Sequence, residues 1–555
     1  MGEGGAKRSE ESLKVMWAEA VRSMEGTSHP PPPPGYSQDC AHLRPRAVSR
    51  TRLFTTVRSQ SLLTFVQNDG VFSNWVPPRK PLPSPRPIPI FRAQPMAGIT
   101  FTNLTRQVEI GANCYCLELA GKRLVLDSGL HPRFDGELAL PQHRLIADGS
   151  ADAIILSHAH QDHVGSIPVL MRRHPAAPVF MTEATRQLSD VMLHNSVNVM
   201  QKKREEGVTG YPLFSHREVE QAVKRWRPVP LHTRFDTTGE RLRVDESADV
   251  SIEFFDAGHI LGSVGTLIRA EGRTIFYTGD IQFDDQTIMQ GARFPEHELD
   301  VLIIETTRGD RATPEGFTRV GEELRLADAI RAQFDRGAAV LIPLFALGKT
   351  QELLAMFHGF RQRGLLGQCP IYIGGLGTKL TEIYDRLAHQ TPRQKPSLDL
   401  MNAVAPFTMA GKAASATPLK GGRLYAISSG MMTEKTLSNS FARQVLSDPA
   451  HALFFVGYAD PLSPAGRIRA AAPGDTVQLS PEFPPQPLRC DLEQFNFSAH
   501  ATRESIRAYV NKVRPKKVIL VHGDIEAVEW FRATLAADLP QSEILTPTPG
   551  VALAL

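Results

Sequence analysis

Four residues that commonly bind metal ions occur within six positions of this sequence. The segment HAHQDH, His158 to His163, follows a short apolar run, Ala153 to Leu156, that has the length of a buried strand, and a helix is predicted after Ile167. Neutral imidazoles and carboxylates suit Zn²⁺, and alternate residues of a tight loop let two histidines face one ion while the following Asp-His faces a second. Capping of the next helix would need one aspartate and would leave the histidines unexplained. The segment therefore predicts a metal site.

Further side chains that can bind metal occur where other apolar runs end. The hairpin-like segment CYCLELAGKRLVLD ends at Asp127, and VLIIETT contains Glu305 where its apolar run stops. His259, Asp280 and His522 also follow strand-like segments. Taken singly, such residues are often turn formers, but strand ends that point the same way share one edge of a sheet in a layered α/β protein. We therefore expect these side chains to meet in one cleft.

Together these segments resemble the metallo-β-lactamase family. LDSG, HAHQDH, GHILGS and YTGD are similar to the metal-binding motifs of that fold, an α/β four-layer αββα sandwich with metals at one edge. ETT at Glu305, FSAHA at His500 and VHGD at His522 resemble motifs A, B and C of its β-CASP ribonuclease branch, which includes RNase J and the endonuclease subunit of the cleavage and polyadenylation machinery. The resemblance covers the chain from about residue 97 to its end.

The resemblance implies two Zn²⁺ ions as cofactors. Asp280 would bridge the two ions, and a hydroxide activated by both would be the nucleophile. Bound Zn²⁺ lowers the pKa of water to about 7, and two ions roughly 3.5–4 Å apart can hold the attacking oxygen and a phosphate oxygen. For the first ion the resemblance implies three further ligands, His158, His160 and His259. For the second ion it implies Asp162, His163 and His522.

The resemblance also implies four catalytic residues, one of which, Asp162, is a ligand as well. Asp127 would orient a ligand histidine or the nucleophile. His500 would protonate the leaving oxygen or hydrogen-bond the scissile phosphate, and Glu305 would fix the tautomer of His500.

Other positions concern the substrate. In the family that this sequence resembles, a histidine at motif C marks members that act on RNA rather than DNA, so the resemblance implies from His522 that the substrate is RNA. One departure is Arg308, which stands in ETTRGD where the family often has tyrosine. Small residues with free amides let a nucleic-acid backbone approach closely. Four such residues are expected to contact phosphates: Ser428, Ser429, Gly430 and Ser498.

The sequence predicts a domain inserted into the sandwich. Between residues 313 and 488 a strand, a loop and a helix follow one another repeatedly, which predicts a parallel sheet with crossover helices, the β-CASP domain. Residues 97–312 and 489–555 would then form the metallo-β-lactamase domain in two parts. A site between two packed domains would be a slot that admits a single strand and excludes a duplex.

Some features of the insertion are not expected to bind ligand. ALGKT ends like a phosphate-binding loop but has Pro343 where that loop needs glycine, and IGGLGTK lacks the spacing of a dinucleotide motif. Lys349, Arg467 and Arg469 could line the slot, but they are interpreted as solvated surface charges.

Residues 1–95 differ in composition from the rest. They hold 13 Lys or Arg and 7 Asp or Glu, a net charge of +6. The main body, residues 96–555, holds 49 Lys or Arg and 52 Asp or Glu, a net charge of −3. They also contain 14 of the 42 prolines, which predicts a disordered extension rich in polyproline II, and Met96 is a candidate functional start. Because the main body is not basic, binding of a polyanion would depend on a local groove and on metal chemistry.

Composition excludes several classes of protein. Five cysteines without a CxxC pair argue against a disulfide scaffold or a thiolate zinc finger. They favour a reducing compartment, so we expect a cytoplasmic protein. The longest apolar runs are too short to cross a membrane. We expect a zinc-dependent ribonuclease acting on single-stranded RNA in processing or decay, as a homodimer or in an RNA-processing complex. The alternatives are an ester or thioester hydrolase of the same fold and a non-catalytic RNA-binding scaffold.

Overall fold

Short runs rich in Val, Ile, Leu and Phe form the strands of residues 98–555, the part of the chain that the computed structural model describes. The predicted extension over residues 1–95 and the candidate start at Met96 lie outside the described residues. The strands before the insertion are β1 (Thr100–Asn103), β2 (Tyr115–Leu119), β3 (Lys122–Leu126), β4 (Ala153–Ile155), β5 (Val179–Met181), β6 (Trp226–Pro228), β7 (Val250–Asp256), β8 (Val264–Ala270), β9 (Arg273–Tyr277) and β10 (Val301–Glu305).

The remaining strands belong to the insertion and to the C-terminal segment. The insertion contains β11 (Val340–Pro343), β12 (Ile371–Gly374), β13 (Phe407–Met409), β14 (Leu424–Ile427), β15 (Ala452–Phe455), β16 (Thr476–Val477), β17 (Gln486–Pro487) and β18 (Asp491–Gln494). The C-terminal segment adds β19 (Lys517–Val521), β20 (Glu543–Leu545) and β21 (Ala552–Ala554).

Two sheets face each other and enclose one apolar core. The first has the order β21-β1-β2-β3-β4-β5-β6 and the second β20-β19-β10-β9-β8-β7. Side chains such as Phe101, Leu117, Phe254, Ile268 and Ile303 fill the space between them and are fully buried. Burial of this apolar surface is the main term that holds the two sheets together, at roughly 25 cal/mol per Å².

Helices cover the outer faces of both sheets, so the predicted four-layer αββα sandwich is confirmed. Thr182, Ser215 and Thr502 each accept a backbone N–H with the side chain at a helix start, which fixes where three of these helices begin. No helix of residues 98–555 is both long and apolar enough to span a bilayer. The helices beside the first sheet are Gln161–Val164, Ile167–Arg173, Glu183–Glu205 and His216–Val223, those beside the second are Arg503–Val513 and Ile525–Asp538, and short 3₁₀ turns cover Gly136–Ala139 and His143–Leu145.

The insertion forms a third sheet in the order β13-β12-β14-β11-β15-β18, and every pairing in it is parallel, as predicted. Strand β18 pairs with β15, so this sheet extends past residue 488, where the sequence predicts the insertion to end. The hairpin strands β16 and β17 lie apart from it. The helices of the insertion are Arg319–Asp335, Lys349–Gln362, Gly375–Arg386, Leu400–Val404, Leu437–Val445 and Pro464–Ala470, with a 3₁₀ turn at Lys412–Ala416.

The direction of the strands brings the motif residues to one edge. In the second sheet β9, β10 and β19 are parallel neighbours, and in the first sheet β3 and β4 are parallel, so the loops that follow these strands leave at their carboxyl ends. Tyr277 at the end of β9 donates its hydroxyl to Asp127 after β3, at 2.6 Å, which joins this edge of the two sheets.

Candidate functional site

Three histidines and one carboxylate oxygen converge after β4, β7 and β9. The Nδ1 atom of His160 lies 3.1 Å from Nε2 of His158 and 3.0 Å from Nε2 of His259. The Oδ2 atom of Asp280 lies 3.4 Å and 3.5 Å from the same two Nε2 atoms. These four atoms point at one another around a common centre, which we call the first cage.

A second group of ligand atoms, the second cage, lies on the other side of Asp280. Its Oδ1 atom is 3.2 Å from Nε2 of His163 and 3.6 Å from Nε2 of His522. Asp162 completes the group, with Oδ2 at 3.4 Å from Nε2 of His522. Asp280 therefore directs one carboxylate oxygen into each cage, the arrangement of a carboxylate that bridges two ions.

The donor set fits a tetrahedral divalent metal at each cage. Bonds of about 2.0–2.1 Å to a tetrahedral Zn²⁺ place ligand atoms about 3.3 Å apart, close to the spacings found here. Burial lowers the pKa of His158 and His259 well below the usual histidine value and also lowers that of His160, which favours the neutral imidazoles that bind metal. The Oδ1 atom of Asp280 is buried without a hydrogen-bond partner, an arrangement that a cation would relieve.

The second ring nitrogen of four of the five cage histidines, all except His160, has an outer partner, which directs the other nitrogen into a cage. His259 donates from Nδ1 to the carbonyl of Ala499 at 2.8 Å. Nδ1 of His158 lies 3.0 Å from the hydroxyl of Ser157, and Nδ1 of His522 lies 2.8 Å from the hydroxyl of Thr307.

Asp127 orients the second cage and does not face either centre. It is fully buried and accepts from Nδ1 of His163 at 2.8 Å, and from the amide and hydroxyl of Ser157, both at 2.7 Å. Burial opposes protonation of His163, but Asp280 and Asp127 outweigh it and raise the pKa of this histidine. The structure thus places Asp127 where it positions a ligand, one of the two roles that the sequence left open.

His500 lies beside both cages with its own carboxylate partner. Nδ1 of His500 is 3.0 Å from Oε2 of Glu305, and Nε2 is 4.0 Å from Oδ2 of Asp280. Burial lowers the pKa of His500, but the Glu305 carboxylate outweighs it and raises that pKa to about 9. An imidazolium in this position can donate a proton from Nε2 to an oxygen held near the cages.

Four successive carbonyls before and at His500 are held by side chains from elsewhere in the chain. Lys349 of the insertion donates to the carbonyl of Phe497, and His259 donates to that of Ala499. The Nε2 atom of Gln282 donates to the carbonyls of Ser498 and His500, both at 3.2 Å. We call residues 497–500 the motif B loop; its path is fixed by residues from both domains.

The insertion packs directly on the first cage. A side chain at Gly348, which has φ +78°, would meet Ile260 and come within 4.0 Å of Nε2 of His160. Tyr384 of the insertion accepts the amide N–H of Leu261 at 3.1 Å. The cages therefore lie where the two domains meet.

The residues expected to contact phosphate lie at two places. Ser498 accepts the amide N–H of His500 at 3.1 Å, so its hydroxyl already stabilises the motif B loop. Ser428, Ser429 and Gly430 follow β14, and Gly430 lines a small cavity with Lys349. No hydrogen bond within residues 98–555 joins these three residues to a cage side chain, so their phosphate contacts stay a prediction.

Sequence reasoning missed three contacts with the motif B loop, those of Lys349, Gln282 and Arg308. Lys349 was interpreted as surface charge, but it is buried, with its pKa lowered to about 8 by that burial. Arg469 is half-buried as well, whereas Arg467 is exposed as predicted. Gln282 and Arg308 both touch the motif B loop, Arg308 through the carbonyl of His500 at 3.4 Å. The apolar run before Lys349 is the one signal that pointed to its burial.

Three family models match the chain. The model of the metallo-beta-lactamase superfamily covers residues 109–315, and the Beta-Casp domain model covers residues 350–468. A third model, described as a Zn-dependent metallo-hydrolase RNA specificity domain, covers residues 485–547. The first and third models contain the cage residues.

Curated relatives agree with these models. Ribonuclease TTHA0252 of Thermus thermophilus is 30% identical over 433 residues, which are 75% of this chain and 91% of the relative. Cleavage and polyadenylation specificity factor subunit 3 of Dictyostelium discoideum is 26% identical and factor 73 of Drosophila melanogaster 28% identical, over 80% and 77% of this chain. The chain spans 56% and 60% of the length of these two relatives.

Proposed function

We propose a function for this chain, which belongs to the β-CASP branch of the metallo-β-lactamase superfamily. It is a zinc-dependent ribonuclease that hydrolyses phosphodiester bonds of single-stranded RNA. The observation that supports this most strongly is the two-sided placement of Asp280, with Oδ2 in the first cage, Oδ1 in the second, and His500 beside both. Two cages that share a carboxylate suit a phosphate group, whose charge two cations can neutralise at once.

Zn²⁺ in both cages would supply an activated water and a counter-charge for the phosphate in the transition state. His158, His160 and His259 would hold one ion, Asp162, His163 and His522 the other, and Asp280 both.

His500 would then protonate the ribose oxygen that leaves the phosphorus. Its Nε2 is the ring nitrogen not taken by Glu305, and it is 4.0 Å from Asp280, within the space where the scissile phosphate must lie. The Glu305 carboxylate raises the pKa of this ring, which favours its protonated form. Glu305 accepts from Nδ1 and so holds the ring in the orientation that presents Nε2.

The domain arrangement favours a single strand. The cages lie between the sandwich and the insertion, with Gly348 and Tyr384 of the insertion against the loop that carries His259 and its neighbours. A site between two packed domains is accessible only to a chain thin enough to enter, which favours single-stranded RNA over a duplex.

The two alternatives explain less of the site. An ester or thioester hydrolase needs the metal ligands but has no use for a histidine–carboxylate pair beside both cages. A non-catalytic scaffold would not need a filled ligand position at every point of both cages.

We propose membership of an RNA-processing complex, because two relatives are named as subunits or factors of cleavage and polyadenylation. We also propose a cytoplasmic location, because few cysteines are present.

The test is activity together with metal content. The purified chain should cleave 5′-labelled single-stranded RNA, bind zinc, and leave a chromogenic thioester intact. Comparing RNAs with blocked, monophosphorylated and triphosphorylated 5′ ends separates endonucleolytic from 5′-exonucleolytic cleavage. Thioester turnover without RNA cleavage would contradict the proposal.

A further inference from the structure

Two arginines beside the motif B loop have no carboxylate partner within residues 98–555. Arg308 follows motif A in the sandwich, and Arg469 lies on the helix Pro464–Ala470 of the insertion. Two acids near the loop pair with other side chains, Glu305 with His500 and Asp310 with Arg311. A cation that is partly removed from water and lacks a counter-charge is costly, so such a group favours binding of an anion.

Arg308 is half-buried, and the carbonyl of His500 at 3.4 Å is its one hydrogen-bond partner in the described residues. None of its nitrogen atoms is both buried and unpaired, so the remaining N–H groups reach solvent. The guanidinium is therefore anchored on the residue that carries the proton donor while most of its donors stay free.

Arg469 approaches the same region from the insertion. It donates to the carbonyl of Gly457 at 3.1 Å and to the side chain of Gln494 at 3.0 Å, and it is also half-buried. Gly457 lines the cavity that contains Lys349, and Lys349 holds the first carbonyl of the motif B loop. Arg469 thus lies on the insertion, bonded to a residue that lines this cavity, whereas Arg308 lies on the sandwich.

The positive charge of Arg311 acts on both guanidinium groups. Burial lowers the pKa of each, and the charge of Arg311 lowers both further, whereas Glu305, Glu504 and Asp310 raise the pKa of Arg308.

We propose that Arg308 and Arg469 bind the RNA phosphates that flank the cleaved linkage, one from each wall of the slot. The inference rests on the proposed function and names the residues that hold the strand in place. Guanidinium groups present several donors in a plane and match the oxygens of a phosphate better than an ammonium does.

Salt dependence of RNA binding tests the inference. All proteins in the experiment carry His500→Ala, which slows cleavage. Their affinity for a short 5′-fluorescent RNA is measured across a series of salt concentrations. Arg308→Gln and Arg469→Gln should each weaken binding about tenfold and lower the slope of log K against log salt by about 0.7, the value for one phosphate contact on a single strand. Arg308→Lys and Arg469→Lys should keep the slope.

Arg467→Gln is the matched control, because Arg467 lies two residues from Arg469 and is exposed; its affinity and slope should equal those of the parent. Zinc content and the melting temperature of each variant show that the cages and the fold are retained. The RNA is used with a 5′-hydroxyl and with a 5′-monophosphate. An effect limited to the monophosphate RNA would contradict flanking contacts and would assign the arginines to a terminal phosphate.

The outcomes separate this inference from the proposed function. If the wild-type chain cleaves RNA but both Gln variants bind with unchanged affinity and slope, the inference is wrong and the ribonuclease assignment stands. If the wild-type chain neither binds nor cleaves RNA, both are wrong.

Discussion

At the scale of single residues, Asp280 decides whether two ions can be bound together. One of its oxygens faces two histidines of the first cage, and the other faces His163 and His522. Within residues 98–555, no other residue has a ligand atom in both cages, the two places where the resemblance predicts zinc. A change at this position should therefore affect both ions, whereas loss of one histidine should affect one.

The first prediction concerns Asp280→Asn. The amide keeps the shape but removes the negative charge that both cages share, so zinc content and RNA cleavage should fall together, with cleavage reduced at least about 10³-fold. Metal analysis and labelled RNA measure the two quantities, and circular dichroism checks the fold. Asp284→Asn, at an exposed neighbouring carboxylate, should change neither. Normal turnover in Asp280→Asn would refute the site.

The second prediction concerns pH. His500, the proposed proton donor, would work in its protonated form, so the rate should fall as pH rises through the pKa of this histidine. Glu305 raises that pKa against the effect of burial, and Glu305→Gln removes the charge responsible. The alkaline limb of kcat/KM on labelled RNA should therefore move to lower pH. Glu305→Asp, which keeps the charge, should shift the limb less, and an unchanged limb in Glu305→Gln would contradict the role of Glu305.

The third prediction concerns Gln282, a positioning residue. Its amide group donates to two carbonyls of the motif B loop, so Gln282→Ala should let His500 move and lower kcat about ten- to hundredfold. Zinc content should not change, because Gln282 is not a ligand. Gln290→Ala, whose amide contacts Arg393 instead, is the control. A raised KM with normal kcat would show that Gln282 acts on binding and not on His500.

At the scale of elements, the helix Lys349–Gln362 connects the insertion to the proton donor. Its first residue reaches the carbonyl of Phe497, and the preceding Gly348 packs on the loop that carries the first cage. The start of this helix therefore joins the insertion both to the motif B loop and to the loop that carries the first cage.

The fourth prediction tests this connection. Lys349→Met keeps much of the side-chain volume but removes the donor, so the amides of the motif B loop should exchange hydrogen faster and kcat should fall about tenfold. Lys379→Met, at an exposed lysine of the insertion, should leave both quantities unchanged. Protection of the loop equal to that of the parent would show that Lys349 has no positioning role.

At the scale of the whole molecule, the sequence predicted the features that depend on patterns of neighbouring residues. Alternating or continuous apolar runs predicted the strands, and the spacing in HAHQDH predicted ligands for two ions, because these signals lie within a few adjacent residues. The four-layer sandwich followed from the resemblance and the inserted parallel sheet from the repeated strand, loop and helix pattern, and both are confirmed.

The parts that the sequence did not predict depend on contacts between distant segments. Gln282 and Lys349 look like ordinary polar residues, and their partners lie 216 and 148 positions further along the chain. The burial of Lys349 and the half-burial of Arg469 arise where two domains pack, which no local pattern records. The extension of the third sheet to β18 likewise depends on pairing with β15 rather than on the composition of residues 491–494.

The fifth prediction is the central one, that two ions share Asp280. Diffraction from crystals of the zinc-loaded chain, collected on both sides of the zinc absorption edge, measures this directly. It should show two anomalous peaks per chain, roughly 3.5–4 Å apart, one among His158, His160 and His259 and the other among Asp162, His163 and His522, with Asp280 between them. A single peak, or peaks away from these side chains, would contradict the account.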